Sequence, residues 1–414
     1  MDTDMLIQFK QRVQKELNED IIPFWSNRTL DETGGFIGRM ANDGAIDKNA
    51  PKGLVLNTRI LWTFSALYVF QKKQEHLVLA KRAYDYLMSF FWDPDFGGTY
   101  WMLDSRGKPL DNRKQIYGQS FAIYALSEYY RASQNKDALD KAKAIFDLLE
   151  KHVWDRQFKG YFESFDRDWT MSKQQQLTSG DMAEKKSMNT SLHALEGIAN
   201  LYDVSKDPLV GQRVDDMLNI FADKIASPDG SYCQLFFDEQ WNSKIKRVSF
   251  GHDIEASWLV YKDAQILNNP ATLEKIRLFG LKLAKSVFNK GLDNKKSMFY
   301  EAEPTGITNS EKHWWVQAEA VVGFLNAYEL TGRQDYLDAA FNIWQFIEDK
   351  LIDRKNGEWF WKVSADGKVD QASFKVSEWK CPYHNSRACI EILNRLDGIL
   401  KKNLPSKVAI RYPE

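Results

Sequence analysis

One motif recurs six times along the 414-residue chain, at intervals of roughly 60 to 75 residues. Each copy is a short turn that contains an aspartate, runs into a glycine and an aromatic residue, and is followed by a segment with helical spacing. Self-similarity at a fixed interval of this length is typical of folds built from stacked repeats. The six copies span residues 31–36, 93–100, 155–162, 229–232, 293–300 and 353–360.

Two stretches with helical spacing separate consecutive copies. The first stretch is apolar with a few polar residues, and the second is amphipathic. A helix pair cannot bury its apolar face alone, so the six pairs must stack, and six pairs can close into a ring. The sequence therefore predicts an all-α fold, an (α/α)6 barrel of six inner and six outer helices, with short β-hairpin-like turns at one end.

The unbroken repeat also bears on domain organisation and on partners. The length of the chain alone would suit two or three domains. No linker rich in Gly, Ser or Pro interrupts the repeat, however, so we expect a single catalytic domain over residues 1–414. Charge is balanced, with 56 basic and 57 acidic residues. The absence of a basic stripe argues against nucleic acid as a partner. The sequence leaves a monomer and a homodimer equally open.

Cysteine content and hydropathy bear on location. The chain has three cysteines and no run near 18 apolar residues, and its first 24 residues have the spacing of an amphipathic helix rather than of a secretory signal. These features favour a reduced, cytoplasmic protein without a membrane anchor. Aromatic residues make up 14% of the chain, including 14 Trp. Most of them are expected to fill space between helix layers, but such a content also suits a carbohydrate site.

Polar residues gather at the predicted starts of the inner helices, near residues 56, 117, 188, 251, 313 and 382. In a closed helical barrel these starts all face the same end, so their side chains should converge on one pocket. Helix N-termini there would also favour developing negative charge. The side chains expected in the pocket are Arg59, Tyr117, Asn189, His193, His252, Glu255, Trp315, Glu319, Trp379 and His384.

The sharpest local signal is the pair His252 and Glu255. Their i, i+3 spacing predicts that the carboxylate orients the imidazole or raises its basicity. Two histidines whose pKa values lie near neutrality could each abstract and return a proton at about pH 7. An inverting glycoside hydrolase would instead use two carboxylates, for which Glu255, Glu319 and Asp181 are available. The richness of the set in His and Arg favours proton transfer over hydrolysis.

Six segments carry a resemblance to a known family. They read NTRILWTF (57–64), QSFAIYALSE (119–128), SMNT (187–190), SFGHDIEASW (249–258), HWWVQAEA (313–320) and WKCPYHN (379–385). The chain resembles the N-acylglucosamine 2-epimerase superfamily over nearly its whole length, most closely the cellobiose 2-epimerase branch. The resemblance implies reversible C2 epimerisation of the reducing-end glucose of cellobiose or lactose to mannose, through a cis-enediol after ring opening, without a metal or other cofactor.

The resemblance also implies roles for individual residues. His252 and His384 are the expected acid/base pair, one on each face of C2, with His193 and Arg59 near the C1 and C2 oxygens. Glu255 and Glu319 would support the histidines or hydrogen-bond the sugar. The side chains expected to hold the sugar are Tyr117, Asp181, Asn189, Trp315, Glu319 and Trp379. Asp181 lies in a polar stretch over residues 168–186, a predicted loop at the barrel mouth, where a solvated carboxylate is an equally good interpretation.

Several alternatives stay open within this resemblance. The 168–186 loop or the 364–377 turn could close the subsite for a second sugar, which would leave a D-mannose 2-epimerase. An aldose-ketose isomerase is less favoured, since it needs one base and the chain keeps both His252 and His384. An N-acylglucosamine 2-epimerase is less favoured still, because no nucleotide-binding element is evident. A non-enzymatic regulatory protein would be expected to lack one of the pocket histidines.

Overall fold

The computed structural model describes residues 3–294 and 297–403, and helices dominate this part of the chain. Five short π-helical segments continue helices of the outer layer, at Leu17–Ile21, Leu87–Phe91, Leu149–Val153, Phe221–Ile225 and Ile347–Leu351. The α-helices are α1 (Thr3–Glu16), α2 (Ile22–Asn27), α3 (Leu54–Gln71), α4 (Gln74–Tyr86), α5 (Ile116–Ser133), α6 (Lys136–Leu148), α7 (Met188–Ser205), α8 (Pro208–Ile220), α9 (Phe250–Leu267), α10 (Pro270–Lys290), α11 (Trp314–Thr331), α12 (Gln334–Phe346) and α13 (Tyr383–Asn403).

These helices form two concentric layers. The inner layer is α3, α5, α7, α9, α11 and α13, in which each helix contacts the next and α13 returns to contact α3. In α3 to α11, side chains are buried on nearly every face, since other inner helices and the outer layer surround them. The outer layer is α1 with α2, then α4, α6, α8, α10 and α12. The predicted (α/α)6 barrel is confirmed.

Each of the first five inner helices ends at one residue in the left-handed conformation, a common way to terminate a helix. These residues are Lys72, Gln134, Lys206, Asn268 and Gly332. The outer helix begins two residues later, and in three repeats an Asn or Asp side chain caps its first turn. The connections at this end of the barrel are therefore short, and longer connections lie at the end where the inner helices begin.

Short antiparallel strands join neighbouring repeats at that end. A strand just before an inner helix pairs with a strand that follows the next turn motif. One further pair, Met40–Ala41 with Phe374–Val376, connects the first repeat to the last. The other strands are Lys52–Gly53, Met102–Leu103, Pro109–Asp111, Lys114–Gln115, Ser164–Phe165, Lys186–Ser187, Phe236–Phe237, Val248–Ser249, Glu301–Glu303, Gly306–Asn309, Lys312–His313 and Lys362–Val363.

The aspartate of the repeated motif has a structural role. In five repeats it binds a buried lysine that follows it by about 20 to 30 residues in the chain, and these pairs fix the turn against the start of the inner helix. In the fourth repeat Val248 takes the place of that lysine, and Asp229 accepts from the Ser227 hydroxyl at 2.8 Å instead. The pairs, with their N–O distances, are Asp31–Lys52 (2.6 Å), Asp93–Lys114 (2.9 Å), Asp155–Lys186 (2.7 Å), Asp293–Lys312 (2.8 Å) and Asp353–Lys375 (2.6 Å).

The ring closes where the first outer helices meet the last turn motif. Trp25 Nε1 donates to Glu358 at 3.0 Å, and Trp359 Nε1 donates to Glu16 at 2.8 Å. The backbone N–H of Glu358 donates to the Asp20 carboxylate at 3.1 Å. Cys233, Cys381 and Cys389 are buried thiols. Of the helices described, none combines the length and the hydropathy needed to cross a membrane.

Candidate active site

One cavity of about 300 Å³ opens at the end of the barrel where the inner helices begin. It lies on the barrel axis, so side chains from all six inner helices reach it. The 168–186 loop forms part of its wall through Gln175, Leu177 and neighbouring residues. Ten of the predicted side chains line it: Arg59, Tyr117, Asp181, Asn189, His193, His252, Glu255, Trp315, Trp379 and His384.

His384 is held by a carboxylate. Its Nδ1 lies 2.7 Å from Oε1 of Glu319, which is fully buried beneath it and also accepts from Trp258 Nε1 at 3.1 Å. Because the carboxylate accepts at Nδ1, the Nε2 atom is left for the cavity. Glu319 itself does not line the cavity. Of the two roles expected for Glu319, support of a histidine is the one that its contacts fit.

His252 has a different neighbour from the one predicted. Its Nδ1 lies 2.8 Å from the hydroxyl of Ser249, and Glu255 instead accepts from Arg387 at 2.6 Å. The i, i+3 spacing permits a bond between His252 and Glu255, but a buried carboxylate gains more from a cation than from a neutral imidazole. The prediction that Glu255 orients His252 is thus wrong.

Arg387 joins three carboxylates beneath the cavity. Its guanidinium donates to Glu196 at 2.6 Å, to Glu255 at 2.6 Å and to Glu319 at 2.7 Å. Arg387 is 1% exposed, so these bonds form in a region shielded from water. Glu196 also accepts from His193 Nδ1 at 2.9 Å. The Arg387 guanidinium thus binds the two carboxylates, Glu196 and Glu319, that hold the Nδ1 atoms of His193 and His384.

The pKa values in this network follow from burial and from Arg387. Burial alone would raise the pKa of Glu196, but Arg387 and the bond from His193 outweigh it and lower that pKa to about 2. Burial and the neighbouring Glu319 raise the pKa of Glu255 to about 7. Burial also raises the pKa of Glu319, against the opposing effect of Arg387. The three carboxyl groups consequently differ in how readily they carry a proton.

The two candidate bases do not have pKa values near neutrality. Burial and the nearby His193 lower the pKa of His252 to about 3, although its ring is open to the cavity. Burial, Arg59 and Arg387 lower the pKa of His384 well below its ordinary value. The prediction of near-neutral values is wrong because it took no account of desolvation by the barrel. Both imidazoles are neutral at pH 7 in this state, which is the form that accepts a proton.

Arg59 is a buried cation placed for a ligand. It is 3% exposed, donates to the Tyr117 hydroxyl at 2.8 Å and lies over the ring of Phe121 at 4.3 Å. Within the part of the chain that the structure describes, its Nε is buried without a hydrogen-bond acceptor. Buried charges are normally paired. An oxygen-rich or anionic ligand in the cavity would provide what Arg59 lacks.

Aromatic rings surround the histidines. The Trp315 ring lies 4.9 Å from that of His252 and 5.7 Å from that of His384, so one indole contacts both imidazoles. Gly251 makes this possible, since a Cβ there would lie 2.5 Å from the Trp315 ring. Trp379 packs against Tyr117 at 5.8 Å. Flat apolar faces beside buried polar groups suit the alternating C–H and hydroxyl surfaces of a sugar.

A family model matches most of the chain. The N-acylglucosamine 2-epimerase (GlcNAc 2-epimerase) family model aligns with residues 35–388, which include the predicted cavity residues. The chain belongs to the N-acylglucosamine 2-epimerase family. The resemblance noted from the sequence is confirmed.

Within this family the chain is similar to proteins named cellobiose 2-epimerase. The relative from Bacteroides fragilis is 43% identical over 93% of this chain and 98% of its own length, and that from Dictyoglomus turgidum is 38% identical over 94% and 98%. The structure of cellobiose 2-epimerase from Bacillus thermoamylovorans B4167 superimposes with a TM-score of 0.90 at 38% identity, covering 94% of this chain and 99% of that one. A D-mannose isomerase from Marinomonas mediterranea is 25% identical over 91% of this chain.

In this member of the epimerase family, Asp181 both faces the cavity and bonds within its own loop. It lines the cavity, but its carboxylate also accepts from the backbone N–H and the hydroxyl of Thr178, both at 2.9 Å. Asn189 also lines the cavity, and its Oδ1 is buried without a hydrogen-bond donor among the described residues. Both residues are thus placed where they could contact a ligand, and Asp181 also ties its own loop.

Sequence reasoning missed several residues of this epimerase-family site. Arg387 and Glu196 were not assigned roles in the pocket, although both lie within a turn of a predicted histidine on their helices. That spacing was an available signal. Ser249 was missed because a serine before a helix is normally interpreted as a cap. The other cavity-lining residues outside the predicted set include Glu163, Gln175, Arg247, Tyr300, Glu301, Trp314 and Trp361.

The same cluster contains three side chains of the kinds that bind metal ions. Glu255, Glu319 and His384 offer ligand atoms that lie within 4.8 Å of one another. Arg387 Nη2 donates to both of these carboxylates, at 2.6 Å and 2.7 Å. The guanidinium therefore already provides the positive charge that a metal would bring to these oxygens.

Proposed function

We propose that this chain is a cellobiose 2-epimerase, which interconverts glucose and mannose at the reducing end of β-1,4-linked disaccharides such as cellobiose and lactose. The observation that carries the proposal is the pair of imidazoles, His252 and His384, that face one cavity and pack against one indole. Similarity to several proteins named cellobiose 2-epimerase, at 37% to 43% identity over nearly the full chain, supports the choice of substrate.

The proposed reaction begins with opening of the sugar ring. One neutral imidazole then removes the C2 proton, and the electrons of that C–H bond move toward C1 to give a cis-enediolate. The first histidine passes its proton to the enediolate oxygen at C1 and becomes neutral again. After rotation about the C2–C3 bond, the other neutral imidazole takes the proton of this O1 hydroxyl and delivers it to the opposite face of C2. Ring closure completes the epimerisation. His252 and His384 are the proposed acid/base pair, and microscopic reversibility exchanges their roles in the reverse direction.

The enediolate oxygen needs stabilisation because a C2 proton is only weakly acidic. Arg59 and His193 are the proposed donors. Arg59 is a buried guanidinium, and His193 would donate from Nε2 in its imidazolium form, which Glu196 at Nδ1 would stabilise. A preorganised donor of this kind contributes about 3 to 4 kcal/mol to transition-state stability. The lack of an acceptor at Arg59 Nε supports this assignment.

Other residues are proposed to bind or support the sugar. Trp315 and Trp379 would stack on sugar faces, and Tyr117, Asn189 and Asp181 would hydrogen-bond hydroxyl groups. Their positions in the cavity lining support these roles.

The two glutamates are proposed to act differently. Glu319 would position His384 rather than touch the sugar, as its bond to Nδ1 indicates. Glu255 lines the cavity and has its pKa raised to about 7 by burial and by Glu319, so near neutrality it is present both with and without a proton. It could therefore move a proton at a sugar oxygen during ring opening.

Product analysis tests the proposal. The purified protein would be incubated separately with cellobiose, lactose, mannose and N-acetylglucosamine, without added metal or nucleotide. We expect glucosyl-mannose from cellobiose and the corresponding epimer from lactose. Formation of glucose from mannose with cellobiose untouched would contradict the disaccharide assignment and identify a mannose 2-epimerase whose cavity excludes the second sugar. Formation of a ketose alone would contradict epimerisation.

A further inference from the structure

The two candidate bases differ in the group that binds Nδ1. His384 is held by a carboxylate, Glu319, at 2.7 Å. His252 is held by a hydroxyl, that of Ser249, at 2.8 Å. A carboxylate stabilises a positive imidazole, whereas a hydroxyl gives it much less electrostatic support. The two histidines are therefore chemically unequal although they face the same cavity.

The position of Ser249 makes its contact unusual. Ser249 is the N-cap residue of α9, where a serine hydroxyl normally accepts from a backbone N–H of the first turn. Its side chain makes no such bond. Ser187 occupies the same place before α7 and does cap its helix, accepting from the Thr190 N–H at 3.1 Å. The Ser249 hydroxyl thus hydrogen-bonds the His252 imidazole instead of capping the helix.

A hydroxyl has one property at this place that a carboxylate lacks. It can accept from Nδ1–H, which leaves the lone pair of His252 on Nε2, or donate to Nδ1, which places the ring proton on Nε2. An ionised carboxylate can only accept. Ser249 can therefore hold the His252 ring in one orientation in either neutral tautomer and also in the imidazolium form, where Nδ1–H donates to the serine oxygen.

We propose that Ser249 is the positioning residue of His252, and that it controls proton transfer on one face of C2 while Glu319 controls the other. This inference rests on the proposed function. In the step concerned, the C2–H bond forms or breaks at His252 Nε2, and its electron pair comes from or goes to the enediolate. Ser249 neither gains nor loses a proton overall.

The experiment follows Ser249→Ala in deuterated water with each purified epimer as substrate. Two quantities are measured by NMR: deuterium entering C2 of the recovered substrate, and conversion to the other epimer. Without Ser249, we expect kcat for epimerisation to fall about tenfold or more, with KM within about twofold of wild type. Exchange should persist for the epimer whose C2 proton is removed by His384. The ratio of exchange to epimerisation should then rise for that epimer and not for the other.

A purely structural role for Ser249 would slow both processes equally and leave both ratios unchanged, which would overturn the proposal. Wild-type rates in Ser249→Ala would also overturn it. Ser249→Thr keeps the hydroxyl and should restore the wild-type ratio, so persistent asymmetry in that variant would count against the hydroxyl as the cause.

Ser187→Ala is the matched control, because it removes a capping serine at the same position of a neighbouring inner helix. It should lower the melting temperature without creating an asymmetry between the two epimers. A similar asymmetry in Ser187→Ala would overturn the assignment to Ser249. Wild-type protein that does not epimerise cellobiose would contradict the proposed function itself, whereas wild-type turnover with symmetric Ser249→Ala ratios contradicts only this inference.

Discussion

At the scale of single residues, the charge state of each buried group depends on one or two neighbours. Arg387 is the only guanidinium bonded to Glu196, Glu255 and Glu319 among the described residues. Glu196 also accepts a hydrogen bond from His193, and Arg387 and this bond lower its pKa to about 2. The pKa of Glu255 is instead raised to about 7 by burial and by Glu319. A single positive charge thus keeps one carboxyl group ionised and leaves another able to hold a proton at neutral pH.

Removing either candidate base should abolish most turnover. His252→Ala or His384→Ala is expected to lower the rate of cellobiose epimerisation about 100-fold or more, because each variant lacks the acid/base on one face of C2. His152→Ala is the control, since His152 packs on Trp169 away from the cavity. The measurement is initial-rate product analysis. Near-wild-type rates in either cavity variant would contradict the two-histidine mechanism.

Removing the shared guanidinium should destabilise the barrel. Arg387→Met leaves Glu196, Glu255 and Glu319 buried without their cation, and we expect the free energy of unfolding to fall by about 3 to 5 kcal/mol. Arg395→Met on the same helix is the control, because Arg395 lies nearer the surface and should cost about 1 kcal/mol. Denaturant unfolding measures both. An equal decrease in the free energy of unfolding of the two variants would contradict a larger stabilising role for the Arg387 network.

At the scale of elements, several acidic groups lie at the seam, the contact where the first outer helices (residues 3–27) meet the last turn motif (residues 353–360). Glu16, Asp20 and Glu358 lie together there with Trp25 and Trp359. Burial and the neighbouring Asp20 raise the pKa of Glu16 from its ordinary value of 4.5 to about 8. Between these values the folded protein keeps a proton that the unfolded chain releases. The free energy of unfolding therefore falls as pH rises from about 4.5 to about 8 and levels off above.

Glu16→Gln should remove this pH dependence. The amide stays neutral and keeps an oxygen that can accept from Trp359 Nε1. We expect its melting temperature, relative to wild type, to rise by about 2 °C or more between pH 5 and pH 8.5. Glu19→Gln is the control on the same helical rod, because the Glu19 side chain is 68% exposed. Thermal unfolding at several pH values measures both, and parallel curves for wild type and Glu16→Gln would contradict the raised pKa.

At the scale of the whole molecule, closure of the ring creates the site. Trp25 and Glu358 bond across the seam although 333 residues separate them, and α13 packs against both α1 and α3. His384 on α13 can face the same cavity as Arg59 on α3 only because the last repeat returns to the first. Closure also excludes water from the cavity base, which raises or lowers the pKa of the buried carboxyl and imidazole groups.

The sequence by itself determined the architecture and brought ten of the eleven predicted site residues to one cavity. The sixfold motif predicted twelve helices, and the inner helices begin within two residues of their predicted starts. Because every inner helix starts at the same end of such a ring, the polar residues at those starts had to converge. Periodicity was sufficient for this inference, since it depends only on helix geometry and on the burial of apolar faces.

Only the tertiary structure decided which side chains are partners and which protonation states they favour. Local spacing suggested a bond between His252 and Glu255, but Arg387, 132 residues further along, binds Glu255 instead. Glu319 likewise lies beneath His384 and does not line the cavity. Partners across a barrel depend on the rotation of helices that are far apart in sequence, and a pKa depends on how completely the closed ring removes water. Neither quantity is encoded in the spacing of residues along one helix.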